Sequence, residues 1–362
     1  MLYRSLLWFY RISLALVALL CVGALGAQAQ SSEPSVTLIN RDAIVYSPAT
    51  GKVYAVDKAH SAVWVIGAES AAKSVKVGAG PEAIAVNPAT GMTYVASSGD
   101  SNVSVLDGKT DAVVATVRTA ARPYAIAVDE LANKVYVSNT FSNMLTVIDG
   151  TTNAATNVKT GSADAIVVDA KAKKVYLMGY ESDTLTMLDT ANGEITKIPA
   201  GAMHLWGMAL DSAAGTLYVT HIRDGSVAAL DVKTHREVTI PTGAIPSAVA
   251  VNRKTGQVYV ANYDDGTVTV IDQRSQRVLA TVAVGRHPQA IAVDGKRNWI
   301  VVANTADSTV SFIDGKTQRV WKTVKAGEHP YAIAVNEKTQ KVYVANLGEK
   351  PFTVLLPGNP TR

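Results

Sequence analysis

Imidazoles, guanidinium groups and aromatic rings are the side chains in this sequence whose placement suggests chemistry. Three of the six histidines, His204, His287 and His329, stand two residues before Trp206, Gln289 and Tyr331. Arg122 stands in the same relation to Tyr124, and Arg286 directly precedes His287. His221 lies a short distance after His204, so the two imidazoles could begin a metal site. Such a site normally needs three or more ligands and a supporting shell, and no carboxylate spacing completes one here. The sequence contains no Cys-X-X-Cys-His haem attachment, no Gly-X-Ser-X-Gly elbow, no phosphate loop and no dinucleotide fingerprint. Neither a cofactor nor a metal is expected, and no catalytic set is assigned.

What must position these residues is a repeat. The phrase RDAIVYS (41–47) recurs as PEAIAVN (81–87), PYAIAVD (123–129), ADAIVVD (163–169), LWGMALD (205–211), PSAVAVN (246–252), PQAIAVD (288–294) and PYAIAVN (330–336). Successive starts lie 40, 42, 40, 42, 41, 42 and 42 residues apart. Each copy holds four short runs rich in β-branched residues, divided by turns. In the sixth copy they are SAVAV (247–251), QVYVAN (257–262), TVTVID (267–272) and RVLATVAV (277–284). Four strands, A to D, at a period near 40 residues predict an all-β propeller of four-stranded blades. Counting A strands gives eight blades; seven follow if the divergent first copy docks irregularly. The last copy lacks a D strand, while SVTLIN (35–40) precedes the first A strand. Residues 36–39 are therefore expected to complete the last blade and hide its edge.

In a propeller the D–A and B–C connections lie on one face, and the A–B and C–D turns on the other. His204, His287 and His329 fall in D–A connections, and His60 and His221 at or after strand B. Only His235 falls in a C–D turn. The residue beside the start of strand A varies: Asp42, Glu82, Tyr124, Asp164, Trp206, Ser247, Gln289, Tyr331. Variation there, amid strict repetition elsewhere, marks a position that packing does not dictate. The expected binding residues are Arg122, Tyr124, His204, Trp206, His221, Arg286, His287, His329 and Tyr331. The tyrosines that recur in strand B, such as Tyr54, Tyr94 and Tyr136, read as packing between blades. The Asp residues ending strand C, such as Asp107 and Asp272, read as turn caps.

Composition agrees with a folded chain, at 48% hydrophobic and 18% charged. Residues 1–29 read as a signal peptide: Arg4 and Arg11, an apolar run over 12–27, then Ala27-Gln28-Ala29. Cleavage after Ala29 would remove the only cysteine and two of the net +4 charges, leaving residues 30–362 as a single domain with no transmembrane segment. The expected location is periplasmic or secreted.

YVSN (136–139), YVTH (218–221), YVAN (259–262) and YVAN (343–346), with TVTVID (267–272) and TVSFID (309–314), resemble the YVTN-repeat β-propeller family, which includes YncE-like and surface-layer proteins. The resemblance covers residues 35–356 and implies fold; its members serve diverse roles. The leading functional expectation is a non-enzymatic binding or scaffold protein of the cell envelope, contacting a protein, surface polymer or small ligand at the channel mouth. The alternatives are a lactonase-like hydrolase or lyase at that mouth, and single-stranded nucleic-acid binding through Arg122, Arg286 and the aromatics.

Overall fold

A computed structural model describes residues 43–67 and 71–358. The expected signal peptide over 1–29, Asp42 and the strand expected over 36–39 lie outside the described residues. Among those described there is no helix long and apolar enough to cross a membrane.

The alternation of branched apolar residues with turn punctuation produces 31 strands in eight antiparallel sheets. Seven sheets have four strands in sequence order, and the eighth has three described strands, Pro330–Asn336, Lys341–Asn346 and Phe352–Leu355. Each sheet is one blade, A innermost and D outermost, so the fold is an eight-bladed propeller. Strand exposure follows the order. In blade 6, strand B (Gln257–Asn262) is almost wholly buried, whereas strand D (Arg277–Ala283) is mostly exposed.

The blades are joined by side chains. Tyr54, Tyr94, Tyr136, Tyr176, Tyr218, Tyr259 and Tyr343 are all fully buried, and they dominate the packing of blade on blade. Burial of the phenol raises the Tyr218 pKa, with Asp211 and Asp272 adding to the rise. The ring of blades closes where blade 1 meets blade 8. Ile44, Val53 and Val65 pack with Tyr331, Ala332 and Tyr343, and Trp64 lies 5.9 Å from Phe352.

The turns are built as the sequence suggests. Asp107, Asp149, Asp231 and Asp272 each accept a backbone N–H two or three residues on. Those bonds hold their carboxyls below the usual range. Gly108 shows what close blade contact demands: an added Cβ would lie 3.1 Å from the Tyr54 hydroxyl and nearer still to the Gly91 carbonyl.

Candidate functional site

The start of strand A and the end of strand B share one end of each blade. Pro81 pairs with Ser97, Pro246 with Asn262, Pro288 with Asn304 and Pro330 with Asn346. In six blades the variable residue is not ahead of the strand, as its sequence position suggested, but within it, at a shift of register; in blade 4 Asp164 stands just ahead of strand A (Ala165–Asp169), whose pairing is unbroken. Glu82, Ser247, Gln289 and Tyr331 are the extra residues between Pro and Ala in their strands. Tyr124 and Trp206 fall in equivalent shifts. A bulge re-aims the side chain and frees it from the ladder, which explains why this position varies while its neighbours repeat.

The residue two places earlier is also one structural slot. Gly80, Arg122, His204, Ile245, His287 and His329 all have positive φ, between 48° and 61°. Left-handed backbone costs about 1 kcal/mol or more outside glycine. Here it turns the carbonyl toward the B–C connection: Gly80, His204, Ile245 and His287 each accept a backbone N–H from it. The histidines are thus presented by a shared turn. In blades 2, 6 and 7 an Asp tightens that turn from the B–C side. Asp100, Asp265 and Asp307 accept the N–H of Ala79, Ala244 and Arg286, each at 2.8 Å.

Among the described residues, blades 2 to 8 use this position differently. In blades 6, 7 and 8 its side chain is buried. Ser247, 4% exposed, donates to the carbonyls of Ala261 and, across the blade boundary, Pro288. Gln289 accepts from Thr305, whose hydroxyl also reaches the Pro330 carbonyl. Tyr331, 7% exposed, packs into the core between blades 8 and 1, and burial with Glu82 and Asp57 nearby pushes its hydroxyl up to about 12. In blades 2 to 5 the corresponding Glu82, Tyr124, Asp164 and Trp206 are only partly buried. The mouth is therefore open on one side of the ring and filled on the other.

The densest group on the open side joins blades 4 and 5. Tyr180, in the B–C connection of blade 4, meets the His204 ring at 5.3 Å and the Trp206 ring at 5.5 Å, both edge to face. The Tyr180 N–H donates to Asp164 at 2.8 Å. Burial raises the Asp164 pKa, against the bond from Tyr180 and with the adjacent Glu181 adding to the rise. Neither Tyr180 nor Asp164 was among the residues singled out in the sequence. The signal was present for Asp164, which occupies the variable position.

The other expected residues are dispersed. Arg122 lies over Phe141, 4.9 Å from its centroid. Arg286 is held by Asp307 at 2.6 Å, and His287 stacks on Tyr263 at 4.3 Å. His329 stands partly exposed beside Ser308. His221 departs most from its expected place: it is 1% exposed, so it offers no surface for contact. It occupies the slot where Asn262 bonds Thr267 and Thr269, and its Nδ1 lies 3.3 Å from the Ser226 hydroxyl. Burial lowers its pKa, partly opposed by Glu237, Asp224 and the Ala200 carbonyl. His204 and His221 take different partners. Among the described residues no group of three His, Cys, Asp or Glu side chains converges as a metal set.

Among the described residues, the connections on this face carry ten acidic residues against five basic ones. The turns on the opposite face carry thirteen lysines and arginines against four described acids, beside the strand-ending Asp caps. The prominence of Arg122 and Arg286 in the sequence concealed this balance, because the acids are spread one or two to a connection.

Comparison with known proteins bears out the resemblance. The YNCE-like beta-propeller family model matches residues 244–348, which span blades 6 and 7 and the first two strands of blade 8. No curated protein matches the sequence. Among solved structures, the chain is similar to dihydro-heme d1 dehydrogenase NirN in complex with DHE. The TM-score is 0.73 at 15% identity, over 92% of this chain and 80% of that one. It is also similar to Kuenenia stuttgartiensis hydrazine synthase, with a TM-score of 0.61 at 17% identity, over 92% of this chain and 100% of that one. At such identities the likeness is one of fold: all are propellers.

Proposed function

We propose that this is an exported, non-enzymatic binding propeller of the cell envelope that receives its partner at the open side of the mouth, centred on blades 4 and 5. The observation that carries the reading is the unequal use of one position. The side chain at this position is buried by packing and hydrogen bonds in blades 6 to 8 and left partly exposed in blades 2 to 5. At blades 4 and 5 it contributes to a corner of Tyr180, His204 and Trp206 over Asp164. Aromatic side chains held by their neighbours lose little entropy on binding and supply large contact areas, the character of interface anchors. A repeat without a unique acid–base set supports binding over catalysis, and the apolar run over 12–27 supports export.

The test is a photo-crosslinking amino acid placed at Met203, which is 51% exposed beside this corner, and separately at Lys254 on the opposite face. In cell-envelope extract the Met203 probe should yield discrete adducts that Trp206→Ala suppresses. Adducts confined to the Lys254 probe would place binding on the other face. N-terminal sequencing of exported material should begin near Gln30.

A further inference from the structure

We propose that the mouth face docks a basic polypeptide segment of a partner protein, with one Lys or Arg side chain seated at the Tyr180–Trp206 corner beside Asp164. The inference rests on the binding reading above and adds the partner's chemistry.

The first support is charge. The acids of the B–C connections come from six blades, so the field covers the face rather than one pocket. Three of them, Asp100, Asp265 and Asp307, tie the D–A connection and have a structural role. Asp183, Asp224, Asp264, Glu328 and Glu349 are exposed, and none enters an ion pair among the described residues. The cations of the face do not balance them. Lys58 is held by Glu82 at 2.7 Å and Arg286 by Asp307, while Arg122 lies over Phe141, which leaves Arg223 and Lys350 against the five exposed acids. A surface of one sign raises the local concentration and the association rate of oppositely charged partners.

The second support is independent of charge. Phe141, Met203, Ile245 and Leu347 are exposed large apolar side chains, and all four sit in connections of this same face. Apolar contact beside scattered charge suits a polypeptide partner better than a simple ion. The third is the corner itself. Aromatic faces attract ammonium and guanidinium groups, and a carboxylate set beside them completes a cation's surroundings. Burial already makes the Asp164 charge costly, with Glu181 adding repulsion. A docked cation would relieve both.

The experiment is fluorescence anisotropy with the full chain and a labelled oligoarginine peptide, with oligoglutamate as the opposite-charge probe. We expect oligoarginine to bind, to weaken steeply with added salt, and to lose about ten-fold in affinity in Trp206→Ala and in Asp164→Asn/Glu181→Gln. Lys254→Ala should leave it unchanged. Should the Asp164 variant fail to fold, Asp183→Asn/Asp264→Asn removes two exposed charges and should weaken binding by a smaller, salt-dependent factor. Absence of oligoarginine binding, undiminished affinity in the mouth variants, or preference for oligoglutamate would each overturn the proposal. The binding reading is separable: discrete crosslinks from Met203 to an acidic or uncharged partner would keep the face and remove the cationic chemistry. Undiminished oligoarginine binding in every mouth variant, together with crosslinks only from Lys254, would remove both.

Discussion

Blades 5 and 6 are neighbours built from the same repeat, and they differ at each point that matters to the mouth. In blade 6, Asn262 bonds the hydroxyls of Thr267 and Thr269, Ser247 ties strand A to blade 7, and Asp265 holds the D–A connection. In blade 5, His221 replaces the Asn and faces Ser226 and Ala228 in place of the two threonines. Trp206 replaces the serine, and no bond joins Asp224 to Met203 as Asp265 joins Ala244. A larger ring at 221 is accommodated by a smaller side chain at 228, a paired change within one blade. Blade 6 uses its polar groups to hold itself together, whereas blade 5 buries His221 and leaves Trp206 partly exposed and Asp224 exposed. Departures from a local rule concentrate where function is expected. The family model stops short of this half of the ring, matching only from residue 244 onward.

Transplanting features between the two blades tests the contrast. The largest effect should come from Asn262→His. It forces a ring into a slot whose Thr269 has not been reduced and deprives the buried Thr269 hydroxyl and the partly buried Thr267 hydroxyl of their partner, at about 3 kcal/mol. Thermal unfolding reads it, and adding Thr269→Ala should recover part of the loss. If Asn262→His alone is neutral, the slot is plastic and the pairing of His221 with Ala228 is coincidental.

Ser247→Trp is the next largest. At a site 4% exposed the indole overpacks the blade boundary, with an expected cost of about 1–3 kcal/mol. The reverse change, Trp206→Ser, should cost less than that, because Trp206 is only partly buried. Equal losses in the two variants would erase the distinction between the open and filled sides.

Acidity gives a narrower effect. Burial holds the His221 pKa below its unfolded value, so the folded state prefers the neutral ring. The unfolded chain binds the proton more readily. The stability this residue contributes is therefore full above the unfolded pKa, about 6.5, and declines as pH falls below it toward the folded value. His221→Asn/Ala228→Thr should flatten the acid side of the curve of melting temperature against pH. An unchanged curve would show that His221 is not the titrating group.

The smallest effect concerns the clamp. Asp265→Ala should destabilise by about 1 kcal/mol through loss of one charge-assisted bond to the Ala244 N–H. Asp224→Ala, which breaks no such bond, should have almost none.

Much of the architecture was legible because every blade repeats the same demands. Tyrosines at one position, Asp or Asn at turn starts and β-branched alternation together specify four strands per copy, eight times. The site was legible only in outline. Sequence variation pointed to the residue at the start of strand A, but its bulge is a property of pairing with strand B, so its aim could not be read. Tyr331 and Gln289 vary as Trp206 does, yet they turn into the molecule, because exposure depends on what the adjoining blade places opposite. His221 looked accessible because its equivalence to Asn262 is set by strand register. The acidic character of the mouth went unnoticed because no single segment carries it.

The bulge has a consequence for how such a molecule changes over generations. A side chain held outside the ladder can be exchanged without shifting the pairing of the strands that flank it. The ring thus carries a circular alphabet, one letter per blade, written on a frame that does not depend on the spelling. Ser247, Gln289 and Tyr331 are letters that have become part of the frame through their bonds and packing. Glu82, Tyr124, Asp164 and Trp206 remain only partly buried, and a new specificity could be selected from a library confined to those four codons.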